Sequence, residues 1–292
     1  MQILPSSKIP EDYHSYRSHS GAFFDYVLHS EWRNTVKIEE NGEYAYIHHY
    51  IFWLFSIAYF EKCDISPTRE LLAKYGMKRG IVLWSWWRVS YPDGKWWMRL
   101  GYIFARFYHH STRSAFVIID TPDYWQKWSP NARAHRRKIE KEILSWDITL
   151  DTETSIELFL EIYKKTKIHH PWKRYNIWRQ KYLSKYHKRN IRIYTASVDW
   201  VVRAWAIFLD DFPTSTYLIA FQDDRAKRHH LGLALIDRWF LESQKLGYVY
   251  LDLDHMRDTL DPLSYAGYTR FKSEIADYEI SFREVWMRFF II

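Results

Sequence analysis

Three consecutive segments decide the fold: IRIYTASV (191–198), VVRAWAIFL (201–209) and STYLIAFQ (215–222). They are rich in β-branched and aromatic residues, which predicts three strands in succession. Asp199–Trp200 and residues 210–213 supply short turns between them. Turns this short join antiparallel neighbours, so we expect hairpins.

The chain continues from these strands into a helix and a further strand. Residues 231–246 predict a helix that ends at Gly247, and YVYLDL (248–253) alternates as a strand does. We expect the last strand to return beside the third one. The loop before the helix reads RAKRHHLGLA (225–234). Backbone N–H groups and the helix dipole at such a helix start favour an anion.

Upstream segments predict a second α/β region. Paired strands are expected between Tyr44 and Phe60, a short helix over 67–77 and a buried strand over 81–91; AFFDYVLHSEW (22–32) predicts a short helix and turn. Ser129 followed by Pro130 is a good start for a helix that reaches about Trp146. Two more helices are predicted, from 154/155 to about 167 and from Pro171 to about His187.

Charge is concentrated in one stretch of the chain. The protein has 292 residues and a net charge of +7. Residues 162–198 contain no Asp or Glu but eleven Lys and Arg, interleaved with Trp172, Tyr175, Trp178, Tyr182 and Tyr186. Such a surplus is either a solvated helical face or a surface for phosphate, nucleotide or tRNA. The aromatic residues are compatible with base stacking or with core packing.

Composition excludes several classes of protein. A single cysteine, Cys63, excludes an intramolecular disulfide and a cysteine-cluster metal site, and the adjacent histidine pairs do not predict a metal site. Few Gly and Pro argue against a long flexible linker. The start has no secretion-signal pattern, and the longest uncharged stretch of the N-terminal half is too short to span a membrane. We therefore expect a cytoplasmic, basic protein without a tightly bound cofactor.

The order of three antiparallel strands, a helix and a returning strand resembles the core of GNAT acyltransferases. In that fold two strands splay apart, the acyl donor lies between them, and its phosphates sit at the following helix start. Gly232-Leu233-Ala234 resembles the end of the GNAT pyrophosphate motif, with His229 where the pattern has Gln or Arg. The resemblance implies four donor-phosphate residues: Arg228, His230, Gly232 and Ala234.

Three further motifs together resemble the FemA/FemB/FemX aminoacyltransferase family. They are LHSEW (28–32), Arg133-x-x-x-Arg137-Lys138 and GYTRFK (267–272), in an order that covers about residues 22–280. The resemblance implies an α/β fold of two tandem GNAT-like domains with mixed sheets flanked by helices. We predict a degenerate domain over 1–125 and an acyltransferase domain over 126–292.

The resemblance also implies a function. The family moves an aminoacyl group from aminoacyl-tRNA onto the amine of a peptidoglycan precursor, which is nucleotide- or lipid-linked. Such a protein works in cell-wall biosynthesis, at the inner face of the membrane when its acceptor is lipid-linked. Lys37, Arg133 and Arg137 are the candidates for acceptor or phosphate binding. Two alternatives stay open: an acyl-CoA-dependent N-acyltransferase, and a non-catalytic module that binds phosphate or RNA.

Acyl transfer to an amine requires a neutral nucleophile, a stabilised oxyanion and a protonated leaving group. Lys272 matches the family's signature lysine and could hold the oxyanion or a phosphate, or be an ordinary surface lysine. Asp252 and Asp254 are two residues apart and predict either a base or a strand-end turn, with His255 as a competing base. Tyr268 is the candidate proton donor to the leaving group.

The closing segment VWMRFFII is apolar and aromatic. We expect it to form a last strand that covers a sheet edge, with a membrane-touching tail as the alternative.

Overall fold

The computed structural model describes residues 2–4, 10, 13, 34–41, 43–50, 54–60, 63–84, 98–99, 113–145, 148–165, 191–257, 263, 266–281 and 286–291. These form two compact units. Unit 1 takes its described residues from 116–254 and 271–277, and unit 2 takes them from 2–115, 255–270 and 278–292. The domain boundary after residue 125 stays a prediction. The helix and turn over 22–32 and the aromatic, basic helix from Pro171 lie outside the described residues.

The strands are β1 Gln2–Leu4, β2 Asn34–Glu40, β3 Glu43–Tyr50, β4 Phe55–Phe60, β5 Arg79–Trp84, β6 Met98–Arg99, β7 Arg113–Ile118, β8 Ile148–Asp151, β9 Ile191–Val198, β10 Val201–Asp211, β11 Thr214–Gln222, β12 Tyr250–His255, β13 Tyr278–Ser281 and β14 Trp286–Ile291. The helices are α1 Arg69–Lys74, α2 Pro130–Ser145, α3 Ile156–Lys165, α4 Asp224–Arg228, α5 Leu231–Lys245 and α6 Ala266–Ile275, with a 3-10 turn at Tyr124–Lys127. One mixed sheet has the order β1-β13-β7-β12-β11-β10-β9-β8, and a second has the order β2-β3-β4-β5-β14-β6.

Unit 1 contains the predicted core order. Strands β9, β10 and β11 are antiparallel neighbours, and β12 returns parallel to β11 after α4 and α5. The β10–β11 ladder runs the full length of β11, from Thr214 to Gln222. The β11–β12 ladder stops at Thr216 opposite Asp252, after three pairs. The two parallel strands therefore separate beyond this pair, which we call the fork.

Local sequence explains where the helices of unit 1 begin and end. The Ser129 hydroxyl accepts a hydrogen bond from the Ala132 N–H at 3.1 Å, which caps α2 as predicted. Gly247 follows α5 with φ of +81°, the left-handed conformation that glycine adopts without strain at a helix end.

Aromatic side chains fill the core of unit 1. Trp239 of α5 is fully buried and stacks on Phe208 of β10 at 4.6 Å between ring centroids. Phe159 and Tyr163 of α3 pack against Trp205 of β10. Burying a large aromatic side chain stabilises a fold by about 1.5–3 kcal/mol, so these rings fix α3 and α5 on the sheet.

Unit 2 has the same order of elements as the core of unit 1. Strands β2, β3 and β4 are antiparallel, and β5 returns parallel to β4 after α1. Unlike β11 and β12 of unit 1, the parallel strands β4 and β5 stay paired to their ends, from Ser56 opposite Gly80 to Phe60 opposite Trp84. The tandem GNAT-like architecture is confirmed, and unit 2 has no fork among these strands.

The C-terminal segment forms a strand, as predicted, but not at an edge of its sheet. Strand β14 pairs with β5 on one side and with the two-residue β6 on the other. Phe290 is buried, whereas Phe289 and Ile291 are exposed. The expectation that this strand covers an edge is therefore corrected: β6 pairs on its outer side. Among the described residues, no helix is both long and apolar enough to cross a bilayer.

Candidate functional site

Three of the predicted catalytic residues lie at or directly beside the fork in unit 1: Asp252, Asp254 and Lys272. Asp252 lies on β12 at the last pair of the ladder and is buried. Its Oδ1 accepts a hydrogen bond from the backbone N–H of Asp254 at 2.7 Å. Asp254 has φ of +56° and is half-buried, so simple strand alternation does not set its direction. Asp252 therefore shapes the strand end and leaves Asp254 as the more accessible carboxylate.

Lys272 is buried at the fork. It is 6% exposed, so the interpretation as a surface lysine is wrong. Its Nζ lies 5.5 Å from the ring centroid of Tyr217, the residue of β11 directly after the last β11–β12 pair. The face of an aromatic ring attracts a cation, and this partly compensates for the loss of water around the ammonium group. Burial raises the pKa of Tyr217, so its phenol stays protonated at neutral pH.

A cavity of about 110 Å³ lies farther along unit 1, between the end of β11 and the start of α5. Its lining residues are Ala132, His135, Gln222, Lys227, His230, Leu233, Phe271 and Glu274. We call it the helix-start cavity. Phe271 and Glu274 belong to the same end of α6 as Lys272, which places this cavity and the fork on either side of one helical segment.

Two histidines face each other in the helix-start cavity. The rings of His135 and His230 are 3.9 Å apart at their centroids. Burial lowers the pKa of His230, and the neighbouring His135, Lys138 and His229 lower it further, while Glu142 opposes them. The Nδ1 of His229 lies 3.1 Å from the carboxylate of Glu142. An anion in the cavity would favour protonation of His230.

The predicted donor-phosphate residues surround the start of α5. His230 precedes the helix with φ of +55°, and Ala234 is buried in its first turn. A Cβ on Gly232 would lie 2.8 Å from the Gln222 side-chain oxygen, so a hydrogen is the only substituent that fits without moving Gln222. Arg228 is exposed at the end of α4. Their role in binding phosphate stays a prediction.

Helix α2 is fixed against α5 by a partly buried polar contact. The Nε of Arg136 lies 3.0 Å from Oδ1 of Asp237, and the Tyr124 hydroxyl donates to the same oxygen at 2.9 Å. This contact presents Arg133, which is half-buried, and Arg137, which is exposed. Arg137 lines a shallow depression together with Lys138, Lys141 and Glu140.

The other predicted residues lie in unit 2 or in the core. Lys37 of β2 pairs with Glu39 at 2.8 Å, and the Tyr268 ring lies 5.8 Å from the His255 ring. Arg192 was counted in the basic stretch, but it is inside unit 1 and bonds to Asp210 at 2.7 Å. Arg192 therefore does not belong to an anion-binding face, and the expectation that it does is corrected. Most of that stretch, residues 166–190, lies outside the described residues.

Three residues of the site were not predicted from the sequence: Tyr217, His135 and Gln222. Tyr217 is one of 23 tyrosines, and nothing in a strand sequence shows where its ladder ends. His135 lies inside the Arg133–Lys138 motif, two residues from Arg133. Only the packing of α2 beside the start of α5 shows that it faces His230.

Comparison with known proteins supports the fold. No family model matches the sequence, and no curated protein matches it significantly. The structure is similar to the crystal structure of FemX, with a TM-score of 0.64 and 9% identity over 94% of this chain and 92% of FemX. It is also similar to a conserved protein of unknown function from Bacteroides thetaiotaomicron, with a TM-score of 0.55 and 10% identity over 94% of this chain and 91% of that one.

Identities this low establish a shared fold and not a shared reaction. Coverage of more than nine-tenths of both chains means that the likeness to FemX includes both halves of the protein. The resemblance noted in the sequence is thus confirmed for the architecture: the chain has the tandem GNAT-like fold of FemX.

Proposed function

We propose that the protein is an N-acyltransferase that binds a phosphate-bearing acyl donor at the fork and transfers the acyl group to an amine. The observation that carries this proposal is the buried Lys272 ammonium at the point where β11 and β12 separate. Lysine is among the residue types that are least often buried in a protein. An ammonium held in a site of low dielectric is suited to a negative charge that develops during a reaction.

The proposed reaction proceeds by attack of a neutral amine on the acyl carbonyl. The carbonyl oxygen becomes an oxyanion, which Lys272 stabilises, and the amine loses a proton to Asp254. The C–N bond forms and the bond from the acyl carbon to the donor oxygen or sulfur breaks. In the same proposal Tyr268 supplies the proton that the leaving group needs.

The donor phosphates would lie at the start of α5. Lys227 and the His135–His230 pair line the helix-start cavity, and the helix dipole adds positive potential there. The resemblance to the FemA/FemB/FemX group favours aminoacyl-tRNA as donor and a peptidoglycan precursor as acceptor. Lys37, Arg133 and Arg137 are then the proposed contacts to the acceptor or to phosphate. Acyl-CoA is the competing donor.

A transfer assay tests the proposal. The protein is incubated with radiolabelled aminoacyl-tRNA or acyl-CoA and with a UDP-linked muropeptide or simple amines. We expect transfer with one donor, and we expect Lys272→Met to reduce it at least about 100-fold, the usual effect of removing one oxyanion-stabilising group. Methionine keeps most of the volume of the side chain and removes its charge.

The matched control is Lys245→Met, because Lys245 is exposed at the end of α5. It should transfer as the unmodified protein does. Full activity of folded Lys272→Met would overturn the role of Lys272. Tight binding of RNA or nucleotide without transfer to any acceptor would favour the non-catalytic module instead.

A further inference from the structure

The turn between β9 and β10 contains an unusual residue. Asp199 and Trp200 both have positive φ, +49° and +64°. A two-residue hairpin turn of this kind favours Asn-Gly, because a bulky side chain is strained in the left-handed region. The Trp200 side chain is also 84% exposed. Strain and exposure of a large apolar ring both oppose stability, and such outliers concentrate at functional positions.

This turn lies at the same end of the sheet as the helix-start cavity. Ala204 of β10 pairs with Gln222, which lines the cavity. Trp200 is four residues before Ala204, and at about 3.3 Å per strand residue it extends roughly 13 Å beyond that pair.

Two contacts hold the turn in place. The guanidinium of Arg225 forms an ion pair with Asp199, which ties α4 to the turn. The backbone N–H of Asp223 donates to the Arg203 carbonyl at 3.0 Å. Because α4 also carries Lys227 of the cavity, the ring and the cavity are parts of one fixed surface.

We propose that Trp200 is a stacking platform for a base of the donor's nucleotide, whose phosphate lies in the helix-start cavity. This inference rests on the proposed function and deepens it. An aromatic ring presented to water stacks on any base, and nearby cations hold the phosphates. Two residues of α4 provide these cations: Lys227, which lines the cavity and pairs with Asp224, and the exposed Arg228. The end of tRNA and coenzyme A share this chemistry, since both carry an adenine nucleotide.

A lipid surface fits the turn less well. Within the turn, Val201 is the only exposed large apolar residue besides Trp200. The carboxylates of Asp199, Asp223 and Asp224 form ion pairs with Arg225, Arg203 and Lys227, respectively, so the residues around the turn are polar rather than apolar. Insertion into a bilayer requires a wider apolar surface than the side chains of Trp200 and Val201 provide.

The test measures binding of three probes: a short single-stranded RNA that ends in CCA, coenzyme A, and inorganic pyrophosphate. We expect Trp200→Leu to weaken either RNA or coenzyme A about tenfold, as the loss of one stacked base does. Whichever of the two is weakened identifies the donor. Trp200→Phe should restore most of the affinity, and pyrophosphate should bind equally to all variants because it has no base.

A second variant separates binding from folding. Trp200→Gly relieves the positive φ, so its thermal unfolding midpoint should be equal to or higher than that of the unmodified protein while binding is still weakened. The matched control is Phe289→Leu, which removes an exposed aromatic ring from β14 in unit 2 and should change neither affinity.

Two results would overturn the proposal that Trp200 is a stacking platform, and one would support it. Unchanged binding of both RNA and coenzyme A to Trp200→Leu overturns it. Binding to phosphatidylglycerol vesicles that Trp200→Leu abolishes, with nucleotide binding intact, overturns it in favour of a lipid contact. Weakened nucleotide binding in a protein that shows no transfer supports the platform and counts only against the proposed reaction.

Discussion

Lys272 combines two properties that rarely occur together, a charge and nearly complete burial. Removing an ammonium from water costs several kcal/mol, and a cation–π contact returns about 2 kcal/mol or more when desolvated. The ring of Tyr217 contributes to offsetting this cost. A buried ammonium at the fork can stabilise a negative charge that develops on a bound donor, which is the reason to assign it a chemical role.

His230 provides a prediction at the scale of a single residue. Its pKa is lowered by burial and by His135, so the folded state binds its proton less readily than the unfolded chain does. The unfolded chain takes up this proton as the pH falls below about 6.5. Stability is thus highest above that pH and decreases as the pH falls toward the folded-state pKa.

Urea unfolding between pH 7.5 and 5 measures this effect. His230→Gln should reduce the loss of stability on acidification but not abolish it, because burial also lowers the pKa of His49 in unit 2. Pyrophosphate should reduce the loss in the unmodified protein, since an anion in the cavity favours the protonated form of His230. An identical pH dependence with and without His230 would contradict the interpretation.

Two elements of the same type distinguish the two units. In unit 1 the parallel strands β11 and β12 pair at three positions and then separate, whereas in unit 2 β4 and β5 stay paired over five. A continuous ladder leaves no space for a donor between its strands. Unit 2 therefore has the strand order of the core of unit 1 but not the gap between its two parallel strands. In this structural sense unit 2 is the degenerate one.

Gly80 is required for the closed ladder of unit 2. A Cβ there would lie 1.7 Å from the Ser56 carbonyl oxygen, at a φ of +155°. We expect Gly80→Ala to destabilise the protein by several times the roughly 1 kcal/mol of an ordinary substitution, since the backbone of β4 has to move. Chemical denaturation measures the change.

Gly267→Ala is the matched control for this substitution. Gly267 is exposed in the first turn of α6, and a Cβ would meet nothing within 4 Å. Alanine should leave stability unchanged or raise it by about 0.5–1 kcal/mol. Equal effects of the two alanines would show that the close contact at Gly80 is relieved by a small local shift.

The strand order of unit 1 could be predicted because its signals are local. Alternating residues, Gly247 and the Ser129–Pro130 pair each depend on neighbours in sequence. The fork could be expected only from resemblance, since the end of a ladder depends on a strand more than thirty residues away. For the same reason Tyr217 escaped prediction, while Lys272 was found through its motif.

At the scale of the whole molecule, the net charge of +7 bears on which donor the protein uses. Single-stranded RNA brings a row of phosphates, whereas coenzyme A brings only a few. Binding of RNA should therefore release more counterions and depend more strongly on salt. The cations proposed to meet phosphates in unit 1 are Arg133, Arg137, Lys227 and Arg228.

Four phosphate contacts correspond to a slope of about −3 in a plot of log affinity against log salt, because each contact on a single strand contributes about 0.7. Replacing both Arg133 and Arg137 with Gln should reduce the slope by about 1.4, the share of two contacts. Lys245→Gln, distant from these residues at the end of α5, should leave it unchanged. If the double variant keeps the full slope, helix α2 does not contact the phosphates of the RNA. Arg133 and Arg137 would then be assigned to binding of the acceptor.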